Sequence, residues 1–144
     1  MHLVSPRTLL FLDRDDRWLF LRGAPGKWFA GRLNGLGGHV EPGEDVRSAA
    51  QRECAEETGL VPVGLELAAI AHVAVPDPGP AVLLFVFTGH LPAGDLRPTR
   101  EGEHVWHDPR DVPRSDQPFV DDLRVLVPAL VGRAPGAAPL WIAL

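Results

Sequence analysis

Apolar and polar positions change period several times along this chain. Near its start, Thr8-Leu9-Leu10-Phe11-Leu12 and Arg17-Trp18-Leu19-Phe20-Leu21 are short apolar runs on either side of Asp13-Arg14-Asp15-Asp16. Apolar runs of that length around polar turn formers predict a β-hairpin with both strands well buried. Gly23 to Lys27 predicts a loop. Trp28-Phe29 after it either caps the core or flanks a pocket, and the core is the expected place. Leu33-Asn34-Gly35-Leu36-Gly37-Gly38-His39-Val40 follows, glycine-rich but without the spacing of a dinucleotide fingerprint or a P-loop. Its glycines permit unusual backbone angles and the close approach of a ligand or metal.

The period then becomes helical. Pro42-Gly43 marks a turn, Gly59 a helix stop, and Glu44 to Thr58 between them holds neither Gly nor Pro. The spacing predicts a helix with Glu44 and Asp45 in its first turn, where carboxylates complement the positive end. Val46, Ala50 and Cys54 recur at four-residue steps as an apolar stripe. Glu53, Glu56 and Glu57 are three and four residues apart and project from one side. Arg52 reaches Glu56 at i+4.

Beyond the helix, Leu65–Val75 and Ala81–Gly89 predict strands, separated by the stiff loop Pro76-Asp77-Pro78-Gly79-Pro80. His104–His107 predicts a short strand, Asp108–Pro118 a loop with one helical turn, and Phe119–Val131 a helix that Pro128 kinks or restarts. Leu140-Trp141-Ile142-Ala143-Leu144 is too apolar to float free. It packs on the domain or forms a subunit contact, which would make a homodimer. Strands on either side of a central helix, with a second helix at the end, predict an α/β fold: a mixed sheet covered on both faces.

Composition narrows the class. At 144 residues with 45% hydrophobic content, one domain over 1–144 is expected. The formal net charge of -5 argues against a broad basic surface for duplex nucleic acid, but not against a nucleotide whose phosphates meet metal ions. The single cysteine, Cys54, excludes an intrachain disulfide and a cysteine-based zinc cluster. With neither a signal-like start nor a run long enough to span a bilayer, a soluble cytoplasmic protein without membrane partners is expected.

Candidate chemistry lies in the helix. Three crowded carboxylates repel one another. On a bare helix they are simply a solvated acidic face. Here they follow a Gly-Gly turn and share the helix with an arginine, and oxygen-rich clusters suit Mg²⁺ or Mn²⁺ bridging to phosphates.

The stretch Gly38–Leu60 resembles the signature of the Nudix hydrolases. Gly38, Glu44, Arg52, Glu53, Glu56, Glu57, Gly59 and Leu60 match it, and Cys54 stands where a bulky aliphatic is usual. A free cysteine behaves as a small hydrophobe, so the change reads as packing. The resemblance implies an α/β/α sandwich with a mixed sheet, and hydrolysis of a nucleoside diphosphate linked to another group. It implies a metal site at Glu53, Glu56 and Glu57, with Gly38 and a later Glu101 (preferred over Glu103) as further ligands. Arg52 would orient Glu53, Glu44 would complete the ring of charge, and Glu53 is the first choice of general base.

A finer resemblance concerns the substrate. Leu33–Gly38 is similar to the segment of MutT-like oxidised-purine triphosphatases in which an Asn binds the base, at the place of Asn34. Phe119-Val120-Asp121-Asp122 resembles a Trp-Pro-Asp-Asp in which the aromatic stacks on the purine and the aspartates read its edge. The alternative is local: Asp121 and Asp122 start a helix and Phe119 staples it. The expected substrate is a nucleoside triphosphate, an oxidised purine included. ADP-ribose, dinucleoside polyphosphates and RNA 5′ ends are the enzymatic alternatives, and a silent nucleotide sensor the non-enzymatic one. Isopentenyl diphosphate isomerisation fits less well, because the only cysteine lies inside the helix motif.

Overall fold

The computed structural model describes residues 3–75 and 79–144, so Pro76-Asp77-Pro78 of the expected stiff loop lie outside the described residues. The strands are β1 (Val4–Arg14), β2 (Arg17–Gly23), β3 (Leu33–Asn34), β4 (Val63–Val73), β5 (Ala81–His90), β6 (Gly102–His107) and β7 (Leu140–Ala143). Two helices, α1 (Val46–Thr58) and α2 (Leu123–Val131), and a 3-10 turn at Pro109–Arg114 complete the elements. The strands form one mixed sheet in the order β3-β2-β1-β5-β4-β7, with β6 on β2. Ala50 and Cys54 of α1 pack on Leu10, Leu12, Leu19 and Phe87 on one face. Leu123, Leu126, Val127 and Leu130 of α2 pack on Leu9, Phe11, Phe20 and Val86 on the other. The expected α/β/α sandwich is the observed one.

The predicted hairpin exists only at its tip. Asp15 and Asp16 both take positive φ, at 53° and 62°, as a tight turn between right-twisted strands demands. Pairing of β1 with β2 spans only Asp13↔Trp18 and Arg14↔Arg17. Beyond that β1 runs parallel along β5 from Val4↔Ala81 to Asp13↔His90, while β2 turns to β3 and β6. The glycine-rich run occupies the freed edge of β1. Leu36 and Leu10 exchange backbone bonds of 2.8 and 3.2 Å, and Thr8 N–H donates to Gly38 O at 2.8 Å. Glycine is required here: Gly37 has φ 134°, and a Cβ on it would lie 2.1 Å from Thr8 O.

Two helix starts differ from expectation. Helix α1 starts after Asp45, whose Oδ1 accepts from Ser48 N at 2.9 Å as the N-cap, so Glu44 precedes the first turn. It ends at Gly59 in the left-handed region, as the sequence indicates. Helix α2 starts at Leu123, four residues late, because Pro118–Val120 is drawn alongside β3. Leu33 N–H donates to Pro118 O and Val120 N–H to Leu33 O, both at 2.9 Å. The apolar tail forms β7, parallel to β4, with Leu140 and Ile142 against the core. The subunit-contact alternative would use its outward side, where Trp141 is 80% exposed. Among the described residues no helix is long and apolar enough to cross a membrane.

Candidate active site

The Gly37-Gly38 turn meets the acidic side of α1. Gly37 N–H donates to Glu57 Oε2 at 3.0 Å. The Glu53 carboxylate rests directly on Gly38, where a Cβ would lie 2.5 Å from Oε1. Arg52 organises the rest. It donates to Glu44 Oε2 and Oε1 at 2.7 and 2.9 Å, to Glu53 Oε1 at 3.1 Å and to the His39 carbonyl at 3.1 Å, and it lies 3.3 Å from Glu56. One guanidinium thus ties three glutamates to the turn, using the planar fork that lysine lacks.

Burial divides the carboxylates. Glu57 is buried, and burial, reinforced by the Glu53 charge, pushes its carboxyl up to about 8 against the Gly37 hydrogen bond. Burial also pushes Glu53 up, with Arg52 opposing. The Arg52 hydrogen bond holds Glu44 below the usual carboxylate range.

Among the described residues no three His, Cys, Asp or Glu side chains are gathered tightly enough to enclose a cation as they stand. Arg52 and Gly37 account for this, since they draw Glu53 and Glu57 to different partners. The donor chemistry nevertheless fits a hard divalent ion. Glu57 is a buried carboxylate beside a second one, and a cation there would relieve the cost of ionising it. Glu56, 58% exposed along its side chain, has room to turn inward.

The Gly38 carbonyl accepts from Thr8 N–H at 2.8 Å and so belongs to the β1 ladder. What the residue supplies is the space that Glu53 fills.

A cleft of about 630 Å³ opens between the sheet and α2 on the far side of the turn. Asn34, Gly37, Gly38, Glu57, Glu101 and Asp122 are among its lining residues. Asn34 Oδ1 accepts from Gly35 N–H at 2.9 Å, leaving the amide nitrogen without a partner among the described residues. Asp122 occupies the N-cap of α2 but makes no side-chain cap hydrogen bond, so its carboxylate is not spent on the helix. The β3 pairing of Val120 brings Asn34 and Asp122 to one cleft although 88 residues separate them in sequence. Glu101 lines the cleft and forms a 2.5 Å ion pair with Lys27, while Glu103 is exposed and off it.

The expected aromatic and one aspartate lie elsewhere. Phe119 is 3% exposed and packs edge-on against Phe20 and His107, so it belongs to the core and not to the cleft wall. Asp121 is exposed and is not among the residues lining the cleft. The aromatics on the cleft are Trp28, 64% exposed, and its buried neighbour Phe29. Of the two places expected for this pair, Trp28 flanks the cleft, and Phe29 packs in the core while bordering it.

The chain matches the NUDIX domain family over residues 2–130 and belongs to it. Its relatives include the NAD-capped RNA hydrolase NudC of Deinococcus radiodurans, 30% identical over 137 residues, covering 88% of this chain and 45% of that protein. They also include the Nudix hydrolase YvcI of Bacillus subtilis, 30% identical over 109 residues, covering 73% of this chain and 66% of that one. The chain thus spans less than half of that NudC. The MutT protein of Bacillus halodurans shares the fold with TM-score 0.74 at 22% identity, covering 95% of this chain and 86% of that one. The ORF135 protein of E. coli does so with TM-score 0.73 at 25% identity, covering 94% and 96%.

Proposed function

We propose that the protein is a Mg²⁺- or Mn²⁺-dependent pyrophosphohydrolase of the cytoplasm. It converts a nucleoside triphosphate, oxidised purines included, into the monophosphate and pyrophosphate. The observation that carries this reading is the joint placement of Asn34 and Asp122 on a cleft whose other wall is the Gly37-Gly38 turn under Glu57. An amide and an unspent carboxylate can read a purine edge, and the phosphates then run toward the helix carboxylates.

Glu53, Glu56 and Glu57 would hold the divalent ion, with Glu101 as a further candidate ligand from the opposite wall. When bound, the ion neutralises charge on the phosphate oxygens and acidifies the attacking water. Arg52 fixes Glu53 through Oε1. Glu53 Oε2, which no described residue engages, accepts the proton as the water oxygen bonds to phosphorus and the P–O bond to the departing pyrophosphate breaks. The upward shift of Glu53 by burial makes it a better base than an exposed carboxylate. Glu44 holds Arg52 in place.

A second reading takes the diphosphate bridge of an NAD-capped RNA, favoured by the similarity to NudC. Chromatographic separation of the products formed with Mg²⁺ from dGTP, 8-oxo-dGTP, dATP, dCTP, NAD and ADP-ribose separates the two. A purine triphosphate turned over at the highest kcat/KM supports the first. Turnover restricted to NAD and ADP-ribose overturns it.

A further inference from the structure

Arg7 stands where the sheet should be apolar. Its cross-strand neighbours are His39 on one side and Leu84 on the other, and the same rung continues through Ala71 to Ile142. Leu84 and Ile142 pack against the α2-side core, as does Leu9, two residues along from Arg7 on the same face. Arg7 therefore lies on the floor of the cleft, among Val73, Val82 and Leu84. Its Nε is buried and has no hydrogen-bond partner among the described residues. The acidic side chains of the cleft form no ion pair with it: Gly37 holds Glu57, Lys27 holds Glu101, and Asp122, which caps no helix N–H, is not paired with Arg7 either, nor is any other described carboxylate.

A guanidinium on an apolar rung with an unmet N–H costs free energy unless an anion answers it. Among the described residues no anion is paired with it, which leaves the place open to an anionic ligand. The order along the neighbouring segment says which part of a ligand. Asn34 lies at one end, Gly37-Gly38 under the α1 carboxylates in the middle, and His39, paired with Arg7, at the other. One strand spacing, roughly 5 Å, separates the His39 backbone from that of Arg7. A nucleotide with its base at Asn34 and its scissile linkage at the glycine turn would lay its last phosphate over Arg7.

We infer that Arg7 binds the terminal phosphate of a triphosphate and, after cleavage, the departing pyrophosphate. The assignment rests on the triphosphate reading and adds to it a residue that separates triphosphates from bridged diphosphates, which have no terminal phosphate to offer. The planar N–H fork of arginine suits a phosphate dianion.

The test uses Arg7→Gln and Arg7→Lys in the full chain. Titration calorimetry with Mg²⁺ and inorganic tripolyphosphate should show binding weakened about ten-fold or more in Arg7→Gln, with part recovered in Arg7→Lys. Binding of dGMP should be unchanged, which also verifies that the cleft is folded. In kinetics, KM for triphosphates should rise by a like factor, with ADP-ribose and NAD within about two-fold. Equal tripolyphosphate binding by wild type and Arg7→Gln overturns the assignment, as does an equal loss on ADP-ribose. If the wild-type protein turns over no triphosphate, the proposed function falls, and the calorimetric comparison still decides Arg7.

Discussion

The Glu53 carboxylate lies against Gly38 so closely that a Cβ on the glycine would come 2.5 Å from Oε1. Gly38→Ala therefore evicts the carboxylate from its place beside Arg52 and leaves the backbone alone, since the obstructing atoms are at the end of a side chain. Activity should fall on the order of 10²-fold, the scale of a misplaced reacting group. Gly37→Ala is a different experiment. It meets the Thr8 carbonyl at 2.1 Å in a backbone conformation at φ 134°. It should cost stability by about 1–3 kcal/mol or more. Urea denaturation and steady-state kinetics on both variants check the contrast, which fails if Gly38→Ala loses as much stability as Gly37→Ala.

Glu57 gives a pH dependence whose sign follows from its burial. Its ordinary value is 4.5 and its folded value about 8. Across that window the unfolded chain has released a proton that the folded one keeps. The metal-free protein therefore loses stability as pH rises through the window, by up to a few kcal/mol, on the order expected for such a shift. Divalent-ion affinity should move the opposite way, rising over the same range, because the ion requires the deprotonated carboxylate. Glu57→Gln should flatten the stability profile. Thermal melts in chelator from roughly pH 5 to pH 9, for wild type and variant, test this. Identical profiles would remove Glu57 as the titrating group.

What was legible in the sequence was local. The helix, its Gly59 stop, its apolar stripe and the crowding of Glu53, Glu56 and Glu57 follow from 3.6-residue spacing, and α1 shows each of them. The split of the hairpin was not legible. It depends on β5 and the glycine run competing for β1, a choice between partners tens of residues away. Phe119 failed for the same reason. Its direction is set by the pairing of Leu33 with Pro118 and Val120, which turns the ring inward and delays the helix. The cap at Asp45 was a local signal of a different kind. Asp45 stands three residues before Ser48, a capping spacing, and read alone it places Glu44 outside the helix.

Cys54 is fully buried at the α1–sheet contact, its thiol pushed up by burial and directed to the Leu60 carbonyl at 3.4 Å. Cys54→Val should keep turnover and shift stability by less than about 1.5 kcal/mol, as a near volume-conserving swap. Native protein should resist thiol reagents until denaturant is added. Fast labelling in the absence of denaturant would contradict the buried placement.

The aromatic expected to stack on the base and the exposed one found on the cleft give opposite predictions. Phe119 packs edge-on on Phe20 and His107 with Arg124 over its face, so Phe119→Ala opens a core cavity. Its cost should be about 3–5 kcal/mol of stability, with every substrate affected alike in proportion to folded protein. Trp28 is exposed, and its truncation opens no core cavity. If its ring faces the base, Trp28→Ala should leave the unfolding midpoint nearly unchanged and reduce kcat/KM for purine triphosphates by about 1 kcal/mol or more, the worth of a stacked pair. Pyrimidine triphosphates, with less ring to stack, should lose less. Asn34→Ala should add a loss of roughly 1–3 kcal/mol confined to the base it hydrogen-bonds. Kinetics of the three variants on dGTP, 8-oxo-dGTP and dCTP, with melting curves beside them, separate the roles. A selective purine loss in Phe119→Ala at unchanged stability, or a uniform loss in Trp28→Ala, would reverse the assignment of the two aromatics.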